Sequence, residues 1–567
     1  MKGDKKYGLL AVGLALISVL IIWIVGLGEA QEKVKAEDVE KPKDTMYSYV
    51  QLINSVAWNI DSRYVEEVDR KELIYSGIRG MLEILDPFST MQDKKAHDRM
   101  MEITHGKYEG LGMMIDIRDD WITVISPIEG TPAYSRGIRA GDRIIEIDGE
   151  STKAMTTEDA ANLMRGPAGT GVVLTIKREG LGEPLEYELE RAVITLKNVP
   201  YYGVIEDDIG YVRLSRFSED SGNELEDAIK KLKKEKIKGL IFDLRSNGGG
   251  LLAQAVETAD LFLDPDELIV YTKGRDEVKI SEFHSRSRSL LGDISLVVLV
   301  DEGTASASEI VSGAIQDWDR GVVVGDTTFG KGLVQQIYEM PADVFLKLTV
   351  AKYYIPSGRS IQKPERSKKH YTEDAEEDST QKPGIFYTSN GRRVFGGGGI
   401  IPDVILEAEE LKPIEINLER QQMFFDFAVE YLSKNKEVTE DFEVTDEVFS
   451  QFKDFINRHD FTYKTFLEME LDSVEKTLKS EEKDELYSDV IKDFRGLIEK
   501  EKELDFQRST DYIKTSIKRD ILRNLFGDKA VYEHVILETD PAVKKAMEIL
   551  TSGNKYTSIL EGKQEVH

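Results

Sequence analysis

Residues Ser295 to Asp317 read SLVVLVDEGTASASEIVSGAIQD, and the fold turns on this stretch. Leu296 to Val300 is an unbroken apolar run rich in valine, the pattern of a strand buried on both faces, which belongs to a largely parallel sheet. The run ends in a corner of small residues, Gly303 to Ala307, and amphipathic helix follows. Ser306 and Glu309 fit a Ser-x-x-Glu capping box, in which the acid reaches back to the N–H of the capping residue. A serine at a strand-to-helix corner is also well placed as a nucleophile. The helix N-terminus supplies N–H donors and positive potential where an oxyanion would develop. From this stretch alone both readings stand.

Strand and helix alternate on either side of it. GYVRLSRF, NELEDAIKKLKKEK, KGLIFDLRSNGGG and AQAVETADLFL precede it from Ile209 onward, and GVVVGDTTFGKG follows. This is the order of an α/β core. A charged, turn-rich insertion over about 362–393 interrupts it, and GGGGIIPDVIL resumes it. Residues 106–191 instead suggest a compact module of short strands, with GLGMMIDIRDDWITVISPI as a hairpin and TTEDAANLMRG as an amphipathic helix. Helical periodicity covers 45–105. Residues 412–567 are poor in glycine and rich in Glu and Lys, and Leu486, Val490, Phe494 and Leu497 fall on one helical face. That region reads as an α-helical domain.

At the N-terminus, Lys2, Lys5 and Lys6 precede a 19-residue apolar run from Leu9 to Leu27. Such a run can span a hydrocarbon core, which takes ~20 helical residues, and the lysines favour a cytoplasmic start with the rest exported. Residues 1–30 are thus expected to be a single-pass membrane anchor in the inner membrane, with 31–44 as a polar linker and the catalytic part in the periplasm. The alternative is a signal segment cleaved after Ala30, which would leave a secreted protein. The net charge of −30, from 75 basic and 105 acidic residues, argues against a nucleic-acid partner. With no cysteine in the chain, disulfides, thiolate metal sites and cysteine nucleophiles are excluded.

The loop GDTTFGKG, Gly325 to Gly332, imitates a phosphate-binding loop. Gly332 stands where a magnesium-ligating Ser or Thr is required, and the strand-like LVQQIYEM replaces the required helix. A solvated turn lysine is the plain reading of Lys331. A catalytic one becomes attractive beside Ser306, because a neutral serine needs a base and none of the seven histidines sits in a recognisable catalytic motif. Burial lowers a lysine's pKa by disfavouring the ammonium, which would suit Lys331 to that task. The glycines of DLRSNGGG offer backbone N–H groups at Gly249 or Gly250 that could join that of Ala307 as an oxyanion hole.

This combination resembles the carboxyl-terminal processing peptidases, tail-specific serine proteases, over most of residues 45–407. The matching stretches are RGMLEILDPFST, GLGM, GTPAYSRGIRAGDRIIEIDG, DLRSNGGG, TASASEI, GDTTFGKGLVQQ, YYIPSGRSI and GGIIPD, in the family's order. The resemblance implies a multidomain α/β protein. A ClpP/crotonase-like protease core (192–411) would follow an inserted β-rich PDZ domain (106–191), with helical regions on either side. It implies Ser306 as nucleophile, Lys331, 25 positions later, as general base, and Gln335 as the residue that hydrogen-bonds and orients the lysine. Asp317 corresponds to a supporting aspartate. Eleven residues of helix separate it from Ser306 by ~16 Å, which argues against contact. Leu111, Gly112 and Met113 would grip a substrate's terminal carboxylate. No cofactor, metal or nucleotide is implied. The partners expected are proteins with exposed apolar C-terminal tails, with an adaptor or self-association through the C-terminal helical domain and the membrane through the N-terminal helix. Phe88 stands where many members have histidine, and Asn247-Gly248 replaces a commoner Asn-Pro.

Overall fold

The structure is a computed structural model that describes residues 45–363, 384–407 and 410–563. The apolar run from Leu9 to Leu27, the 31–44 linker and most of the 362–393 insertion lie outside the described residues. Among the described residues no helix is long and apolar enough to cross a membrane.

The chain divides into two units at Leu85. The first holds helices α1 (Met46–Arg63) and α2 (Arg70–Glu83), each opened by a side-chain cap, Thr45 on the N–H of Ser48 and Asp69 on that of Glu72.

The second unit begins with strand β1 (Thr90–Asp93) and helix α3 (Lys94–His105). The 106–191 module follows as an antiparallel sheet of β2 (Met113–Arg118), β3 (Trp121–Pro127), β4 (Arg143–Ile147), β5 (Gly171–Lys177) and β6 (Leu185–Glu190), in that spatial order. Helix α4 (Thr157–Met164) packs against it, capped by Thr156. Ile122, Val124, Ile144, Leu174 and Ile176 form its core.

The α/β core contains β7 (Tyr201–Ile205), β8 (Ile209–Arg213), α5 (Ser221–Lys234), β9 (Gly239–Asp243), α6 (Leu252–Asp260), β10 (Leu268–Lys273), β11 (Ser295–Val300), α7 (Ala307–Asp317), β12 (Val322–Gly325), β13 (Leu333–Met340), β14 (Val344–Tyr354) and β15 (Val404–Ile405). The main sheet runs β7-β8-β9-β11-β12-β15, with every pair parallel except β7 with β8. A second sheet joins β1, β14, β10 and the hairpin partner β13.

The run Leu296–Val300 is buried on both faces, as its composition predicted. Leu296, Val298 and Val300 meet α5, α6 and α7, while Val297 and Leu299 face the opposite layer. That layer comes from the end of the chain. After α8 (Pro413–Arg420), α9 (Met423–Lys434), α10 (Asp446–Arg458), α11 (Phe466–Ser480), α12 (Asp484–Arg508) and α13 (Thr510–Phe526), the helices α14 (Pro541–Thr551) and α15 (Gly553–Leu560) lay Val543, Ala546, Ile549 and Ile559 on the sheet. The helical tail therefore splits. Residues of α8, α9, α10 and α13 have a core of their own around Phe424, Phe452 and Phe455, whereas α14 and α15 complete the α/β sandwich.

The PDZ-like module is held from two directions. Glu158 and Arg165 at the two ends of α4 pair with α3, through Arg99–Glu158 at 3.1 Å and Arg165–Glu102 at 2.8 Å. On β2, Arg118 pairs with Asp426 of α9, and Gln422 donates to Asp116 at 2.9 Å.

Candidate functional site

Three neighbouring strand ends of the main sheet carry the residues singled out above. β9 leads into Asn247 to Gly250, β11 leads to Ser306, and β12 leads to Lys331. This is the carboxyl edge, where parallel sheets place their sites.

Ser306 is the N-cap of α7 and has φ 56 and ψ −113, a conformation that costs a non-glycine residue about 1–3 kcal/mol. The surroundings hold it there. Its N–H donates to Glu309 Oε2 at 2.8 Å, while the N–H of Glu309 goes to the Ser306 carbonyl at 2.9 Å. Only the carboxylate half of the capping box thus closes through a side chain.

Glu309 does more than cap. The same Oε2 accepts the N–H of Lys331 at 2.9 Å, and its Oε1 accepts the N–H of Gly330 at 2.7 Å and the Thr328 hydroxyl at 2.5 Å. One fully buried carboxylate therefore ties the serine corner to the lysine loop. Burial pushes its pKa up, against the pull of these four donors.

Asn247, also fully buried, performs a similar service on the other side. Its carbonyl accepts the N–H of Ala305 at 3.0 Å and the Ser308 hydroxyl at 2.9 Å, and its amide donates to the Leu214 carbonyl at 2.9 Å. Gly249 is thereby pressed against the corner. A Cβ built there would lie 2.8 Å from Ser306 Cβ and 2.9 Å from the Ala307 nitrogen.

The expected oxyanion donors separate. The Gly249 N–H is occupied by Asn247 Oδ1 at 3.0 Å. Phe217 takes the Gly249 carbonyl and the Leu251 N–H, and this pairing aims the Gly250 N–H away from it. Ala307 opens α7, and among the described residues its N–H has no acceptor, as at any first helical turn. Of the three expected donors, Gly250 and Ala307 are the two whose N–H groups have no acceptor among the described residues.

Lys331 is half-buried, and burial lowers its pKa, aided by Lys347 and opposed by Glu309 and Asp86. Its Nζ stands 4.5 Å over the ring of Phe88, and among the described residues it makes no hydrogen bond to Ser306. Phe88 belongs to a turn pinned by Asp86, which accepts the N–H groups of Phe88 at 2.8 Å and Ser89 at 2.9 Å. Near the serine is the Tyr353 phenol, pushed up to about 12 by burial and partly brought back by the Ser306 hydroxyl. Gln335, expected to orient the lysine, instead sends its amide to the Thr349 hydroxyl at 3.4 Å.

Asp317 lies at the far end of α7, away from Ser306 as its spacing required. It makes a buried ion pair with Arg359 at 2.8 Å and accepts the Ser357 N–H at 2.9 Å. Desolvation pulls its carboxyl up, and the guanidinium and that N–H pull it back. Its place is to hold the loop after β14.

In the PDZ-like module, Gly112 has φ 78, and a Cβ there would fall 2.3 Å from Thr131. Its carbonyl accepts from the Thr131 hydroxyl and the Ile128 N–H, each at 2.9 Å, and the Leu111 carbonyl accepts the Ala133 N–H at 3.0 Å. Among the described residues the N–H groups of Leu111 and Gly112 have no acceptor. Met113 opens β2, the edge strand beside α4.

Glu309, Asn247, Phe88 and Tyr353 are the site residues that sequence reasoning missed. Glu309 was visible only as a helix cap, Phe88 only as a departure from a pattern, and Asn247 only as part of the matched stretch DLRSNGGG. Tyr353 sat in a matched stretch without any assigned part.

Residues 208–370 match the description Peptidase family S41, and residues 123–178 match a PDZ domain. Residues 414–550 match the C-terminal helical domain of a probable PDZ-protease, and 11–96 the N-terminal domain of the activating protease CtpB. The carboxy-terminal-processing protease of Bartonella bacilliformis is 41% identical over 320 residues, which is 56% of this chain and 73% of that protein. The chain belongs to the carboxy-terminal-processing protease family. It is a serine-type peptidase with a PDZ domain. The carboxy-terminal processing protease CtpA of Bacillus subtilis is 36% identical over 57% of this chain and 69% of its own length. Among solved structures, a photosystem II D1 C-terminal processing protease aligns over 64% of this chain and 94% of its own, with 27% identity and a TM-score of 0.36.

Proposed function

We propose that this peptidase cleaves proteins captured by their C-terminal tails, with Ser306 as nucleophile and Lys331 as general base. The observation that carries the reading is the shared carboxylate of Glu309, which holds the backbones of both residues at one point. The substrate tail adds as a strand to the open edge of β2, its carboxylate on the N–H groups of Leu111, Gly112 and Met113 and its apolar end against the module's core. Lys331 swings from Phe88 to Ser306 by rotation about its own side-chain bonds. As the neutral amine it takes the hydroxyl proton while Oγ attacks the scissile carbonyl, and the N–H groups of Ala307 and Gly250 hold the developing oxyanion. The ammonium then returns that proton to the leaving amine, and water resolves the acyl-serine by the same steps. Gln335 serves the lysine only if it leaves Thr349.

The lysines and apolar run at the N-terminus support an anchored, exported enzyme in the same reading. N-terminal sequencing of protein taken from membranes separates a retained anchor from cleavage after Ala30.

The test of the chemistry is digestion of a folded protein bearing an unstructured apolar tail. Wild type degrades it, Ser306→Ala does not, and Lys331→Ala binds the tail without cutting. Equal residual degradation by wild type and Ser306→Ala would leave a PDZ protein that presents tails without cleaving them.

A further inference from the structure

Residues 361–363, where the sequence reads the start of a charged insertion, lie directly against the lysine loop. Gln362 Oε1 accepts the Gly332 N–H at 2.9 Å, and the Lys363 N–H donates to the Gly330 carbonyl at 3.0 Å. The glycines on both sides of Lys331 make this approach possible. A Cβ on Gly330 would fall 2.5 Å from Lys363 Cγ, and one on Gly332 would fall 2.8 Å from the Gln362 nitrogen.

Gly332 is gripped at both ends of its backbone. Its N–H goes to Gln362, and its carbonyl accepts the Tyr353 N–H at 2.8 Å. Glu309 already takes the N–H groups of Gly330 and Lys331. Three successive N–H donors of the loop therefore end on two side chains, one from α7 and one from the segment after β14. Gln362 is itself oriented, because its amide donates to the Lys363 carbonyl at 3.0 Å. The glutamine expected to orient the lysine, Gln335, is turned to Thr349 instead.

We propose that Gln362 is a positioning residue for Lys331, an inference that rests on the reading of Lys331 as general base. It acts through the backbone. With the peptides on both sides of Lys331 fixed, the direction of its Cα–Cβ bond is fixed as well. The amine then travels between Phe88 and Ser306 by side-chain rotation alone. Without the Gln362 acceptor the Gly332 N–H must find another partner, and a glycine peptide turns easily to do so. The lysine is then aimed away from the serine. A displacement of about 1 Å is enough to cost a large part of turnover. Capture of the tail is spared, because the PDZ domain performs it.

Steady-state cleavage by the full chain of a protein whose unstructured apolar tail carries a fluorophore and a quencher tests the proposal. Gln362→Met removes the acceptor and keeps the stem. It should lower kcat at least ~10-fold and leave KM within about twofold of wild type. Gln362→Glu keeps the acceptor and should restore kcat to within about threefold at alkaline pH. Its carboxylate, bonded to the residue next to Lys331, favours the ammonium and should move the acid limb of kcat/KM upward. That movement keeps the test decisive if Gln362→Met fails to fold. A wild-type kcat in Gln362→Met, a loss carried entirely by KM, or a Gln362→Glu with an unmoved limb would each overturn the assignment. So would a Gln362→Glu as impaired as Gln362→Met at every pH. Lys331→Ala measured alongside separates the two readings. Turnover that survives it overturns the general base itself, whereas an inactive Lys331→Ala beside a fully active Gln362→Met overturns only the part given to Gln362.

Discussion

Lys331 holds its ammonium 4.5 Å above the ring of Phe88 rather than on the serine hydroxyl. The ring both shields the lysine from water and attracts it as a cation, and these act on its pKa in opposite directions. Burial is the largest influence on Lys331, so loss of the shield dominates. Phe88→Ala should therefore raise the lysine's pKa, and the acid limb of kcat/KM against pH should move upward. A limb that moves down would mean that the cation–ring attraction prevails.

A buried lysine with a lowered pKa also costs stability. The fold holds this proton less tightly than the unfolded chain, so stability rises as pH climbs from the folded pKa to the ordinary 10.5. Lys331→Met removes the buried ammonium and keeps the stem's packing. Its Tm should exceed that of wild type by a few degrees at pH 7, and the gap should narrow as pH approaches the ordinary value. Thermal melts across that range check both parts.

Glu309 accepts four donors in a site without water-facing surface, so its replacement leaves several groups wanting an acceptor. Glu309→Gln keeps the shape, but an amide nitrogen must then face N–H groups. We expect a loss of about 2–4 kcal/mol in denaturant unfolding, together with loss of peptidase activity.

Gly249 offers no room for a methyl group and has φ 93. Gly249→Ala must displace either the Ala305 carbonyl or the corner holding Ser306. Peptidase activity should fall at least ~100-fold, the scale of losing an oxyanion donor. Tail binding, measured by fluorescence anisotropy, should be unchanged because the PDZ module is remote in sequence and fold.

The PDZ domain is fastened to the helical domain by Arg118–Asp426, a largely buried pair, and by Val429 packed against Gly141. Asp426→Arg should loosen this attachment and increase hydrogen exchange of the adjoining edge of the PDZ sheet. Adding Arg118→Asp should restore protection. If the single variant leaves exchange unchanged, α9 does not hold the domain.

Much of this was legible from side-chain pattern. The valine-rich run at Leu296 announced a strand covered on both sides, and the small residues after it announced a tight corner. The distance of Asp317 from Ser306 followed from helical rise alone. Glu309 shows where pattern stops. Three residues after a serine it reads as a cap, and nothing local reveals that its carboxylate also receives Gly330 and Lys331 from another strand. Leu486, Val490, Phe494 and Leu497 show the same limit. Periodicity places them on one face, but the presence or absence of a neighbour decides whether that face is core.

By itself, the sequence determined the alternation of strands and helices, the inserted β module, and the identities of the residues at three strand ends. These follow from short-range rules, because apolar spacing and turn residues act within a few positions. Only the tertiary structure decided what covers the second face of the main sheet, where Val543, Ala546, Ile549 and Ile559 arrive from more than 200 residues beyond β12. It alone decided that Lys331 rests on Phe88, that Gln335 points to Thr349, and that Asn247 takes the N–H of Gly249. Each of those outcomes is a competition among buried donors and acceptors brought together by folding, and such a competition has no local signature.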